Sequence, residues 1–582
     1  MLAAGTWIAA RGIMAKTELE AAQSKISQLK SQAVTFDIEG AQKTLKAVRS
    51  HAENAVSLMG DPIWRAAESV PAVGANLRAA RELASVTDAV IEDVATPLLG
   101  VAGAMDPAAF APKDGAINLD PLVQAVGPIH RANVGAQTAL SSVDAIDTSG
   151  TIHQIVAAKK KVAGMLTDLA PLLETADSIV PLIPPALGSE GPRNYVVMFQ
   201  NPAEARALGG TALSFAVIKV DGGRIELSKT IAAGFDNFTR HASSVIPVPD
   251  GADAVYPGGS FGTYIPNATV RPSFTTAAET TQAMWRLQFG YEVDGIFSID
   301  PVALGYVLRA TDPITLSTGD VLTHKSLVPL LLNDVYLRFN SGDPRADNAA
   351  QDKIFGEAVN STFAQLSSGA LDPKYLLAAV ARGWEEHRVL FWSSHETERN
   401  QLVTFGLNGE LPLSDAATDR VGIYFQDNVG SKLNYYLQQN VHLGTASCRD
   451  DGRQNYRVTV DLMNQAPLDS GSLPPSIVGN WESEGLSPGQ QRMIVLLYAP
   501  PGSTVLGVSV NGTPTALEPL HDTDYPVGKV VVTIQPGQSA AVSYDFVAAE
   551  AGHKALEATV TPMVNATTVA DQPLDCATVP AG

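Results

Sequence analysis

Apolar positions recur at a spacing of three and four through the first third of the chain. Leu19, Ala22, Ile26, Leu29 and Ala33 form one seam, and Leu45, Val48, Ala52 and Ala55 form a second after a break at Gly40. A helix turns once in 3.6 residues, so each run places one apolar stripe on a short helix. The composition from Thr17 to Ile179 agrees: it is rich in Ala, Leu, Lys, Glu and Gln, with Phe36, Trp64 and Phe110 as its aromatics. The pattern predicts a helical stalk or bundle over 17–180, built as a hairpin rather than a long rod. Its two readings are a spacer that holds the rest of the chain away from a membrane and a packing or self-association module.

The Pro- and Gly-rich stretch Pro181 to Arg193 ends that pattern. "NYVVMFQN" follows as a short, nearly continuous apolar run, as expected of a strand buried on both faces, and "ALSFAVIKVDGGRIEL" reads as two strands joined at a Gly-Gly turn. "TTAAETTQAMWRLQFG" has helical periodicity, "EVDGIFSID" reads as a buried strand, and Asp300 is placed to cap a helix opened by Pro301. Three further helical segments precede the strand "VLFWSS". Strands alternating with helices predict an α/β layered domain over 190–415. From Gly422 onward short strands alternate with turn residues, which predicts an antiparallel β-sandwich over 420–562 and a polar tail over 563–582. The fold class expected is therefore multidomain α+β.

The 582-residue length suits about three or four compact units. Forty basic residues against sixty acidic ones give a net charge of -20, which opposes binding to nucleic acid or to an anionic membrane surface. Cys448 and Cys576 both fall in the β-rich region and suit one disulfide in an oxidising compartment, the alternative being two free thiols. The opening "MLAAGTWIAARGIMAK" has ten small or apolar residues before Arg11, where a spanning helix needs roughly twenty. Residues 1–16 read either as the last turns of a membrane anchor, with a tryptophan near the interface, or as an ordinary amphipathic start.

The chemical signals are sparse. "GGSFG" at Gly258 to Gly262 has the spacing of a serine nucleophile elbow, yet neither flank supplies the strand and helix that the elbow needs. His387 and His395 stand near Glu385, Glu386 and Glu396, but on either side of a strand, so no shared metal is expected, and no nucleotide-binding fingerprint occurs. No cofactor can be named. Polar groups gather near strand ends at three places: Asn201, Glu204 and Arg206; Asn267 and Arg271; and Asp294 with Asp300. Ligands of open α/β sheets bind outside the carboxyl ends of strands, and arginine offers a planar fork to phosphate or carboxylate. The plain alternative is an Asx turn at Asn201, a surface pair between Glu204 and Arg206, and an N-cap at Asp300. "QNPAEARALGG" is expected to be the turn leaving the first strand, with Gly209 and Gly210 letting the backbone reverse or approach a ligand.

"RNYVVMFQNPAEARALGG", "MWRLQFGYEVDGIFSIDPVALGYVLRATDPITL", "LLLNDVY" and "QDNVGSKLNYYL" resemble successive landmarks of the actinobacterial domain-of-unknown-function family numbered 4012. Its usual "NNAELRxTGG" corresponds here to a version with Pro202, Ala205, Ala207 and Leu208, which keeps Asn201, Glu204, Arg206, Gly209 and Gly210. That resemblance implies a membrane-anchored surface protein associated with envelope or exopolysaccharide assembly. The order of elements in the central region is also similar to the LytR-CpsA-Psr family, which transfers polyprenyl pyrophosphate-linked glycans. By that likeness Arg206 and Arg271 would hold phosphate and Asp294 or Asp300 would assist a metal or proton transfer; Asn201, Asn267, Gly209 and Gly210 are expected to line the same site, with Glu204 orienting the arginine or acting as a base. The family's "RSD" and "PRD" elements are not found at the corresponding places.

The resulting expectation is an extracytoplasmic protein with a single-pass N-terminal anchor, whose α/β domain binds or transfers a cell-envelope or lipid-linked glycan. The alternatives are a non-catalytic glycan-binding scaffold, and a glycoside hydrolase or transglycosylase drawing paired carboxylates from Glu204, Asp236, Asp294 and Asp300.

Overall fold

A computed structural model describes residues 2–34, 37–71, 73–104, 115–234, 236–256, 261–368, 371–404 and 408–580. The chain divides into two compact units, one of residues 1–192 with 220–224, the other of 193–219 with 225–582.

The first unit is helical, as its periodicity predicts. Its main helices are Leu2–Val34, Ile38–Met59, Gly74–Val90, Asp120–Asp144 and His153–Ile179. The expected break at Gly40 falls earlier, because Asp37 caps the second helix through the Gly40 N–H at 3.0 Å and places Gly40 in its first turn. Leu45, Val48, Ala52 and Ala55 are buried as the seam requires. The first helix runs without interruption through residues 2–16, where Ala15 is buried and Arg11 donates to Leu58 O at 3.2 Å. Among the described residues no helix is long and apolar enough to cross a membrane.

The second unit opens with β1 (Arg193–Arg206), β2 (Gly209–Asp221) and β3 (Arg224–Ala232), followed by β4 (Gly295–Ile299). A short ribbon of β5 (Ile314–Thr315) and β6 (Val321–Leu322) precedes β7 (Leu390–Ser393). The main sheet has the order β3-β2-β1-β4-β7, with β1 and β4 parallel and β4 and β7 antiparallel. Helix Phe274–Phe289 packs Trp285 and Phe274 with Phe215, Phe238 and Met198 in the core of this layer. A glycine in the left-handed conformation, Gly290, ends that helix.

The stretch Gln200 to Arg206 is strand, not turn. The β1–β4 register ends at Phe199 and Ile299, so Pro202 lies beyond that ladder and removes no hydrogen bond from it. The reversal is confined to Ala207 and Leu208. A side chain at Gly210 would put its Cβ 2.2 Å from the Asn201 carbonyl, so the room this glycine leaves is filled by neighbouring backbone.

The sandwich strands are β8 (Thr418–Asp427), β9 (Leu437–Ala446), β10 (Arg453–Asn464), β11 (Gln491–Tyr498), β12 (Thr504–Val510), β13 (Thr513–Thr515), β14 (Leu520–Asp522), β15 (Tyr525–Ile534), β16 (Ser539–Ala551), β17 (Ala555–Val560) and β18 (Thr568–Pro573). They form two sheets, β13-β12-β16-β10-β9-β18 and β14-β15-β11-β8-β17. Their inward residues, among them Phe425, Tyr456, Tyr544 and Phe546, make one core that also takes in Ala205 of β1. This sharing of β1 is one reason the α/β layer and the sandwich form a single compact unit.

Two features differ from the expected antiparallel sandwich with a polar tail. Strands β17 and β18 join β8 and β9 in parallel, so the end of the chain covers one edge of each sheet. The expected tail thus carries a strand of its own, and the Cys448–Cys576 disulfide fastens it just beyond β9.

Candidate functional site

Strand β1 is covered on both faces from Gln200 to Ala203, so consecutive polar side chains there are buried. Gln200 and Asn201 are buried and engaged within the fold. Gln200 accepts the Gly210 N–H at 2.8 Å and donates to Ser298 Oγ at 2.5 Å. Asn201 accepts the Ala203 N–H at 3.0 Å and donates to Tyr336 Oη at 3.4 Å. These bonds fix the strand beside a cavity of about 560 Å³ lined by Asn201, Glu204, Tyr264, Tyr336, Asp352 and Lys432, among others. Its size lies in the range of small-ligand sites.

Glu204 is the carboxylate that β1 presents to this cavity. Its Oε1 accepts from Arg206 Nη2 at 3.3 Å, and its Oε2 stands 3.8 Å from Lys432 Nζ. Arg206 is further engaged: it donates to Ala205 O at 2.9 Å, to Asp427 O at 3.4 Å and to Asn267 Oδ1 at 3.4 Å. The structure therefore brings Asn201, Glu204, Arg206 and Asn267 together, with Arg206 behind Glu204 rather than lining the cavity. Asp427 adds a buried carboxyl nearby, raised above the usual carboxylate range by burial and then by Glu204, and held by the Val429 and Ser431 N–H groups.

Lys432 is the cation that lines the cavity. Its backbone N–H donates to Ile477 O at 2.8 Å, which pins the residue, and its side chain is 15% exposed. Its ammonium lies 4.9 Å from the centre of the Tyr336 ring and makes no hydrogen bond to a described residue. An ammonium carries three N–H donors, so a mostly buried one without hydrogen-bonded partners invites acceptors from a ligand. Tyr336 is itself buried, and burial pushes its hydroxyl far above the usual tyrosine range.

The other expected site residues lie elsewhere. Arg271 is buried against Asp522, to which Nε and Nη2 each donate at 2.9 Å, while Nη1 donates to Thr276 Oγ1 at 2.7 Å. Asp300 caps its helix through the Ala303 N–H at 2.7 Å and accepts from Arg388 Nη1 at 2.6 Å. Asp294 accepts the Asn194 N–H at 2.7 Å and pairs with His395 Nε2 at 3.0 Å. Asp294 and Asp300 flank opposite ends of β4, which at about 3.3 Å per residue separates them by roughly 20 Å. They cannot act on one bond together. Neither these two aspartates nor Asp236 lines the cavity.

Ser260 of "GGSFG" lies outside the described residues, as do Gly258 and Gly259. Glu386 is bound to Arg382 and Arg388 at 2.7 and 2.6 Å, and no cluster of three metal-ligating side chains occurs among the described residues.

Lys432, Asp352 and Tyr336 were not singled out by the sequence. Lys432 follows a strand in a loop, and the segment "QDNVGSKLNYYL" carries no ligand-binding spacing. Asp352 has a faint signal: it precedes Phe355 and Val359 by three and seven positions on helix Pro344–Ser367, so the three share a face.

No curated protein matches the chain. Among solved structures, one from Legionella pneumophila subsp. pneumophila, provisionally described as a nutrient binding protein, matches at 7% identity with a TM-score of 0.15. That match covers 23% of this chain and 44% of the other, so it spans less than half of that protein's length. Residues 190–336, which carry β1 to β6 and reach Tyr336, match the family model described as "Protein of unknown function (DUF4012)", and this part of the chain is similar to that family.

Proposed function

We propose that the α/β layer is a non-catalytic glycan-binding module and that the cavity beside β1 is its site. The observation that carries this reading is the pair formed by Lys432 and Glu204. A sugar hydroxyl both accepts and donates, so one hydroxyl can take an N–H from Lys432 and give its own hydrogen to Glu204. The 3.8 Å between the two charged groups leaves their mutual hydrogen bond unmade. Tyr264, Tyr336 and Phe355 add aromatic surface to the lining, suited to the apolar faces of a sugar ring.

Transfer of a pyrophosphate-linked glycan has weaker support. It needs arginines free to hold phosphate, whereas Arg206 is engaged by Glu204 and backbone carbonyls, and Arg271 is paired with Asp522. The hydrolase reading drew on four carboxylates, of which Glu204 alone lines the cavity.

The wider setting belongs to the same proposal: an extracytoplasmic protein of envelope or exopolysaccharide assembly, held at the membrane by an N-terminal helix, with its helical unit as spacer or self-association module. The Cys448–Cys576 disulfide supports an oxidising compartment. Calorimetric titration of the full chain with neutral and charged oligosaccharides tests the site. Saturable binding that is lost in Lys432→Met supports it, and binding undiminished in that variant overturns it.

A further inference from the structure

The charges lining the cavity narrow the class of sugar. Among the described residues three charged side chains face it: Glu204, Asp352 and Lys432. Glu204 is balanced by Arg206 and Lys432. Asp352 has neither a hydrogen bond nor an ion pair with any described residue. It is exposed on helix Pro344–Ser367, one turn before Phe355 on the same lining face. A carboxylate beside an aromatic ring is a cation site, since the ion pair and the ring's negative face act together.

We infer that the ligand is a glycan bearing a protonated amine, and that Asp352 is the residue that selects it. This rests on the reading of the cavity as a glycan site. Lys432 and Glu204 hold hydroxyls, which every sugar has, while Asp352, with no cation of its own in the fold, gains an ion pair as well as a hydrogen bond from a cationic substituent. An acetylated amine keeps the hydroxyl contacts and loses the ion pair. A uronate or phosphorylated sugar meets the unpaired Asp352 carboxylate, since Arg206 and Lys432 already answer Glu204, and is disfavoured. Partial burial raises the carboxyl of Asp352 above the usual carboxylate range.

The test uses the full chain and three tetrasaccharide probes: fully deacetylated chitin oligomer, its N-acetylated counterpart and an oligogalacturonate. Titrations are run at low salt and mildly acidic pH, where the sugar amine is protonated. The amine-bearing probe is expected to bind about fivefold more tightly than the acetylated one, as for a partly exposed ion pair. Asp352→Asn should abolish that preference by lowering the amine-bearing probe's affinity to that of the acetylated one, with circular dichroism confirming the fold. High salt should narrow the preference in the same way. Equal affinities for the two chitin oligomers, or tightest binding of the oligogalacturonate, would overturn the amine inference while leaving the glycan site standing. Binding of none of the three would overturn both.

Discussion

Arg271 and Asp522, 251 residues apart in sequence, form a buried two-pronged ion pair that joins the α/β layer to strand β14 of the sandwich. Their side chains are 7% and 0% exposed, and Tyr498 Oη adds a hydrogen bond to Asp522 at 2.8 Å. Removing one partner leaves the other charge buried and unanswered. Arg271→Ala or Asp522→Ala should therefore cost about 3–5 kcal/mol, read from the urea midpoint. Arg271→Met combined with Asp522→Leu should recover most of the loss. A single-variant cost below about 1 kcal/mol, the range of an exposed pair, would show that the network is solvated in solution.

Lys432 gives the opposite expectation. Its ammonium makes no hydrogen bond inside the fold and Arg206 still answers Glu204, so Lys432→Met should cost no more than about 1 kcal/mol, read from the urea midpoint. Ligand affinity should fall about tenfold or more, the scale of a lost charged hydrogen bond. A fall in stability with affinity intact would mark Lys432 as a structural cation for Glu204.

The C-terminal strand depends on its disulfide. Strand β18 has five exposed positions and one intermediate one, so little apolar burial holds it, and Cys576 itself is exposed. The bond closes a loop with a sequence separation of 128, for which chain entropy sets a contribution of up to about 5 kcal/mol. Reduction, or Cys448→Ser with Cys576→Ser, should raise amide exchange first over Thr568–Pro573 and then along the uncovered edge of β9. Unchanged exchange in both strands would mean that the ladder alone holds the tail.

His387 should make stability depend on pH. Burial lowers its pKa below the ordinary 6.5, so the folded state holds the imidazole neutral where the unfolded chain already binds a proton. Stability should thus decline as pH falls through 6.5 and stop declining once the folded-state pKa is passed. His387 has a φ of 55°, which asparagine tolerates well, so His387→Asn should keep the turn and flatten this part of the profile. Melting temperatures measured from neutral to mildly acidic pH would check it. Parallel profiles for the two proteins would remove His387 from the account.

Much of the architecture was legible because it follows from local rules. The three-four seam at Leu45, Val48, Ala52 and Ala55 is buried where a 3.6-residue period puts it. Asp300 caps the helix opened by Pro301 because both residues act within one turn. Where local and nonlocal forces compete, the sequence misled. "QNPAEARALGG" has turn-forming residues, yet Ala205 belongs to the sandwich core and β1 stays extended until Ala207. The polar tail likewise has no apolar period of its own, and it becomes a strand by pairing with the edge of β9 and by its disulfide.

The candidate site divides in the same way. Glu204 and Arg206 were visible as polar residues near a strand end, because topology places strand ends at ligand sites. Their partners were not visible, since Asp352, Tyr336 and Lys432 come from distant segments that no local spacing connects. The sequence by itself determined the order of helical, α/β and β-rich regions, all set by period and composition. Only the tertiary structure decided which charges are engaged and which are left facing a ligand, because pairing depends on what long-range packing brings within a few ångströms. Arg271, a candidate phosphate ligand by its sequence setting, is occupied by Asp522, and Lys432, an unmarked loop lysine, is left without a hydrogen-bonded partner beside the cavity.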